Sequence, residues 1–313
     1  MFQAIDEVVL IAGDEARARR LYVDHFGFVP EDPVEVSDVA LLDLWGCDGP
    51  MTATRLVKPG STGGSIRLVC APGIQPARPG PQPRQMDTTG PFAIDFYVRG
   101  MRALHRRLRD DGYAFRSQPQ RYQLFGTTFE VDEMLLEGPE GFLHALVEYL
   151  PRQHRCVLGE RPDEQVSEVV AQVTVTDDLD AGLDLLRDGL GGQVYFDQQF
   201  SGPVIERLID LPPGASFRAV IMRGPQRRNA RMELMTQVGP RPDANEGVRR
   251  PPRLFPSIGV PSLPHVLDRI AQTSAAVEVG GPVVVPQDLG GGRAATLRTS
   301  FGVFVELRET PAG

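Results

Sequence analysis

The sequence predicts an α+β protein made of four copies of one strand, helix, three-strand module, and three observations carry that prediction. Residues 8–28, VVLIAGDEARARRLYVDHFGF, read as a short apolar strand, a capping Asp14, a helical face of Ala18, Leu21, Tyr22 and Phe26, and a closing Gly27. The same plan starts again near residues 91, 166 and 253. Two of the joints, 73–90 and 239–253, are so rich in Pro and Arg that they suit surface linkers rather than core.

In the first module the later strands fall at 34–46, 52–57 and 65–71, punctuated by Gly and Pro. The second has a strand at 92–98, a helical face of Met101, Leu104 and Leu108 closed by Gly112, and strands at 122–125, 127–136 and 142–149. A polar connector, 151–165, separates the halves. The third module has a strand at 169–175, a cap at Asp177 or Asp178 and an inward face of Leu179, Leu183 and Leu186. Four strand candidates follow at 193–196, 204–211, 218–222 and 231–235, the first of them readable as a continued loop. The fourth module runs from a strand at 254–260 through a helix capped by Ser262 to a last strand at 301–308. Pairing neighbours in sequence gives two domains, 1–150 (modules 1–72 and 91–150) and 166–313 (modules 166–238 and 253–313).

At 313 residues the chain has room for two such cores. No apolar run approaches the roughly 20 residues of a membrane helix. No secretion leader is visible from Phe2 onward, so a cytoplasmic address is expected. Cys47, Cys70 and Cys156 lack metal or disulfide spacing and read as reduced thiols. A net charge of −8, with Lys58 the only lysine, argues against nucleic acid as a partner. A small organic metabolite and a monomer or homodimer remain as the expected partners.

The D-x-x-x-A pattern at the helix start, "HFGF" after it, and "GPEG" or "SFG" before a last strand make the chain similar to the vicinal oxygen chelate superfamily, which includes glyoxalase I, bleomycin-resistance proteins and extradiol dioxygenases. The resemblance implies that each pair of modules forms a curved mixed sheet round a cleft, with metal ligands on first and last strands. Those positions fall here on Glu7, Ala93, Val170 and Phe255, and on Arg67, Ala145, Glu233 and Glu306. None is histidine, so neither a metal nor another cofactor is expected. His25, His105 and His265 lie on helices, His154 on the connector, and His144 one residue out of phase with the cleft.

Counting alternate residues from those positions lists two clefts. In the first, Glu7 and Arg67 form a structural ion pair, with Asp95, Tyr97 and Tyr149 as substrate contacts. In the second, Glu233 and Glu306 converge as the catalytic acid–base pair, with Arg231, Arg308, Gln172 and Ser257 as substrate contacts. Two other readings of the second set stay open: neutralisation by Arg231 and Arg308 in a solvated network, or a hard-cation site. Trp45 reads as packing, and Gly290, Gly291 and Gly292 as a turn. Arg227, Arg228 and Asn229 read as a hairpin tip, and Arg249 and Arg250 as linker. The function that follows is an isomerase or lyase working by acid–base chemistry on a partly apolar metabolite. The alternative is a non-catalytic binding protein of the resistance type, and a ring-cleaving dioxygenase would lack its histidines.

Overall fold

The computed structural model describes residues 4–71, 74, 86, 88–124, 127–151, 156–224, 230–239 and 253–309. Most of both linkers, His154 and the Arg227, Arg228, Asn229, Arg249 and Arg250 positions lie outside the described residues.

Module one contains β1 (Glu7–Ala12), α1 (Glu15–Arg19), β2 (Val29–Pro30), β3 (Val34–Val36), α2 (Val39–Trp45), β4 (Met51–Val57) and β5 (Ser65–Cys70). Module two contains β6 (Gly90–Val98), α3 (Met101–Asp110), β7 (Gln120–Gln123), β8 (Glu130–Glu137) and β9 (Leu143–Leu150), and the connector carries α4 (Val157–Glu160). Module three contains β10 (Val166–Val175), α5 (Leu179–Asp184), β11 (Gln193–Ser201), α6 (Pro203–Ile209), β12 (Ser216–Arg223) and β13 (Arg231–Val238). Module four contains β14 (Leu254–Val260), α7 (Leu263–Ile270), β15 (Val277–Val284), β16 (Arg293–Thr299) and β17 (Phe304–Glu309). No helix among the described residues is long and apolar enough to cross a membrane.

The caps act as expected from their residue types. The Asp14 carboxylate accepts Arg17 N–H at 2.9 Å, and Asp178 accepts Ala181 N–H at 2.9 Å. Both helices then widen into a π turn, Arg20–His25 and Leu185–Gly189, which brings Leu21, Tyr22, Leu185 and Leu186 into the core.

Two segments expected as strands contain helices. Residues 34–46 hold the short β3 and then α2, because the Asp38 carboxylate accepts Ala40 N–H at 2.9 Å and Leu41 N–H at 3.2 Å, while Gly46 closes the turn at φ 66°. Residues 204–211 are mostly α6, started by Pro203 at its first turn. The stretch from 193 is a full strand rather than a loop, which leaves three strands after α5 in module three.

Strand pairing also corrects the expected domains. Among the described residues one sheet runs β15-β16-β17-β14-β1-β5-β4-β2, with β3 on β4, and the other runs β11-β12-β13-β10-β6-β9-β8-β7. Module one therefore pairs with module four, and module two with module three, through antiparallel contacts of their first strands. Strand length supplies a reason. The 6-residue β1 meets the 7-residue β14, and the 9-residue β6 meets the 10-residue β10, so fewer backbone groups are left without partners than if long met short.

One buried core is shared by all four modules. Phe26 packs edge-on to Phe96 at 5.0 Å, and His144 stacks on Phe96 at 5.9 Å, pointing away from the cleft as its register predicts. The sheets also touch at Gly64, whose carbonyl accepts Val169 N–H at 3.1 Å and where an added Cβ would lie 2.3 Å from Val169 O. Lys58 is fully buried, and its Nζ donates to Phe26 O at 2.5 Å and to Glu164 Oε2 at 2.6 Å, tying module one to the connector.

Near this core Tyr22 Oη lies 2.7 Å from His144 Nε2, and the Glu140 carboxyl is buried beside them. Burial pushes Glu140 from 4.5 up to about 7 and pulls His144 from 6.5 down to about 3. Folded Glu140 holds a proton that the unfolded chain has released, so stability falls as pH rises from 4.5 through 7. Folded His144 refuses a proton that the unfolded chain accepts, so stability also falls as pH drops below 6.5 toward 3. Thermal melts should peak in the weakly acidic range, and Glu140→Gln should flatten the decline on the alkaline side.

Candidate functional site

Two concave faces result, and they differ in chemistry. In the sheet of modules one and four the register sets Glu7 beside Ser257 and Ser257 beside Glu306. Glu7 Oε1 accepts from Arg67 Nη2 and, at 3.3 Å, from Arg308 Nη1, with Arg55 Nε 3.8 Å from Oε2. Arg67 also donates to Leu289 O at 3.3 Å. Glu306 accepts from Trp45 Nε1 at 2.6 Å and from Ser257 Oγ at 2.6 Å. Trp45 reaches it from α2, whose Leu41, Leu42 and Leu44 pack with Val9, Phe255 and Phe304 in this concave face. What stays open is a polar cavity of about 400 Å³.

The sheet of modules two and three encloses a cavity of about 440 Å³ under α6. Phe92, Leu135, Val173, Phe200, Leu208 and Met235 give it an apolar wall. Into it project Asp95 from β6, Glu133 from β8 and Glu233 from β13. Burial pushes Glu233 up to about 7, and the Glu133 charge adds to the effect. Burial pushes Glu133 to about 7 as well, against the opposing hydrogen bond from Tyr122 Oη. Asp95 is raised well above the carboxylate range by burial and then by Glu233 and Glu133, and its Oδ1 is buried with no partner among the described residues. Carboxylates so placed share protons instead of all ionising. Beside them Arg231 Nη2 donates to Tyr97 Oη at 2.5 Å, Arg231 Nε donates to Val170 O at 3.3 Å, and Tyr97 meets Tyr149 edge-on at 5.3 Å.

Several expected groupings are therefore redrawn. Glu306 and Glu233 do not converge; they belong to different sheets because the modules pair out of sequence order. Asp95, Tyr97 and Tyr149 join Arg231 and Glu233, while Ser257 and Arg308 join Glu7 and Arg67. Gln172 leaves the cleft. A bulge in β10 places Val170, Ala171 and Val173 on the cavity wall, and Gln172 instead donates to Val173 O at 2.7 Å and Thr174 Oγ1 at 3.1 Å. Trp45 does more than pack. Arg55, Glu133 and Tyr122 were not anticipated, although period-two counting along the middle strands, from Val131 through Glu133 to Leu135, would have found Glu133.

The metal that the fold family uses does not fit these donors. In the first cleft the Arg67 guanidinium bonds Glu7 at ligand-strand positions, and Ser257 and Trp45 occupy Glu306. In the second, Ala93, Ala145 and Val170 stand at three of the four positions. Among the described residues no group of three His, Cys, Asp or Glu side chains is arranged to hold a metal ion.

Two curved sheets built from βαβββ modules, each round a cleft, make a fold of the glyoxalase type, and the comparisons agree in fold. Residues 4–145 match the model of the Glyoxalase/Bleomycin resistance protein/Dioxygenase superfamily. The fold of the whole chain is similar to that of glyoxalase I from Zea mays, at TM-score 0.64 and 14% identity, covering 99% of this chain and 92% of that one. A point mutant of the same maize enzyme aligns equally, at TM-score 0.64 and 13% identity, over 99% and 92%. No curated protein matches the sequence.

Two outcomes follow from this geometry. Arg67→Ala takes from buried Glu7 its closest cation and leaves it Arg308 at 3.3 Å and Arg55 at 3.8 Å, so it should lower the unfolding free energy in denaturant titrations, by less than the about 3–5 kcal/mol of a buried charge left wholly unpaired. Elemental analysis of the purified protein should find no stoichiometric iron or zinc, because both are usually held by neutral imidazole.

Proposed function

We propose that the cleft of modules two and three is the working site and that it moves a proton on a small, partly apolar organic metabolite, as an isomerase or lyase does. The observation that carries this reading is the set of three carboxyl groups, Asp95, Glu133 and Glu233, in an apolar cavity with two of them at about 7. A carboxyl near neutrality serves both as proton acceptor and as donor at working pH. Glu233 and Asp95 are the pair, one ionised and ready to take a proton from carbon, the other protonated and ready to return one. Glu133, held by Tyr122, keeps negative charge near them and their proton affinity high. Glu306, already occupied by Trp45 and Ser257, serves structure in this reading.

Proton exchange on carbon can be followed without naming the substrate first. A panel of carbonyl-containing metabolites in deuterated water, followed by proton NMR, should show one C–H signal fading with wild type. Glu233→Gln should slow that exchange by about a hundred- to ten-thousandfold while ligand line broadening persists. Broadening without any exchange in wild type would favour the non-catalytic binding protein instead.

A further inference from the structure

Arg231 occupies an unusual place in this cavity. Its residue is only 7% exposed, yet it lines the pocket and makes no ion pair with any carboxylate among the described residues. Its contacts are a tyrosine oxygen, a backbone carbonyl and two ring faces, with Cζ 5.9 Å from the Tyr97 ring centre and 5.4 Å from that of Tyr195. Those groups orient the guanidinium without neutralising it. Asp95 and Glu233 feel its charge, but neither forms a salt bridge with it. A buried cation held this way lacks a carboxylate partner of its own, an arrangement that an anionic ligand would relieve.

We propose that the ligand of this pocket is a small carboxylic acid with an apolar, ring-bearing body, its carboxylate seated on Arg231 and its body against Phe92, Phe200, Phe217 and Leu208. The inference rests on the site assignment made above and adds the class of ligand. Geometry argues for carboxylate over other anions. A guanidinium fork matches the two oxygens of one carboxylate. The second pocket-lining arginine, Arg223, lies over Tyr195 at 4.3 Å. Even with Arg223 counted beside Arg231, a dianionic phosphate would meet three acidic groups in this cavity, which a monoanion tolerates better. The cavity of about 440 Å³ suits a molecule of that size, and the aromatic walls suit a flat body. A carboxylate on Arg231 also places the adjoining carbon toward Glu233, two residues along the same strand and on the same face.

The experiment is calorimetric titration of wild type and variants with 3-phenylpropionate, its neutral amide 3-phenylpropanamide, and phenyl phosphate. Wild type should bind the carboxylate at least tenfold tighter than the amide. Arg231→Gln should bring the two within about twofold, the change being lost carboxylate affinity. Tyr97→Phe, which removes the hydroxyl that orients Arg231 and keeps the ring, should give an intermediate loss, and it stands in should Arg231→Gln fail to fold. Equal binding of carboxylate and amide by wild type would overturn the proposal while leaving the cleft as a binding site. So would tighter binding of phenyl phosphate, or no binding of any probe. Deuterium exchange in the metabolite panel is read separately, so loss of the carboxylate preference and loss of the acid–base reading are distinguishable.

Discussion

Backbone pairing between first strands, of modules one and four through Glu7 opposite Ser257 and of modules two and three through Ile94 opposite Gln172, decides which side chains can meet in this protein. Each ladder fixes register across two modules at once. A module contributes half of a cleft and finds its other half in the module joined to it in the same sheet, which for module one is the last of the chain. Chemistry in either cleft is thus the joint product of segments about 75 to 250 residues apart in sequence, a separation at which loop closure adds cost only slowly with length.

The two clefts show how one scaffold diverges. In one, a short helix carries an indole onto a last-strand carboxylate, and guanidinium groups fill the space a cation would need. The other helix, α6, lies over its sheet but leaves a cavity lined by aromatic rings. The first arrangement compensates each charge internally. The second leaves carboxyl groups poorly hydrated and raises their proton affinity, the condition under which a carboxylate becomes a useful base near neutrality.

Much of the fold was legible because each module repeats local signals with a physical cause: an Asp cap, an apolar helical face, a glycine that closes the turn. The helices α2 and α6 were not. Seven residues is too short for a 3.6 period to separate from a buried strand, and only the Asp38 cap and Pro203 start distinguish them. The composition of the clefts was half legible. Glu7 with Arg67 was read from the strand positions that the resemblance implies, and the pair is observed. Glu306 with Glu233 was misjoined because all four first strands are mostly apolar, and nothing local in them names a partner. Gln172 was placed on the wrong face by a bulge, a one-residue event that period-two counting cannot see.

Lys58 has a consequence for handling the protein. It is the chain's single lysine and is fully buried, so the folded surface among the described residues presents arginine as its basic side chain and no lysine amine. Amine-directed dyes, crosslinkers and coupling resins will find no side chain to attack until the link between module one and the connector opens. Labelling of that one residue then becomes a reporter, and its rate measures how often the Lys58 and Glu164 contact breaks in an otherwise folded molecule.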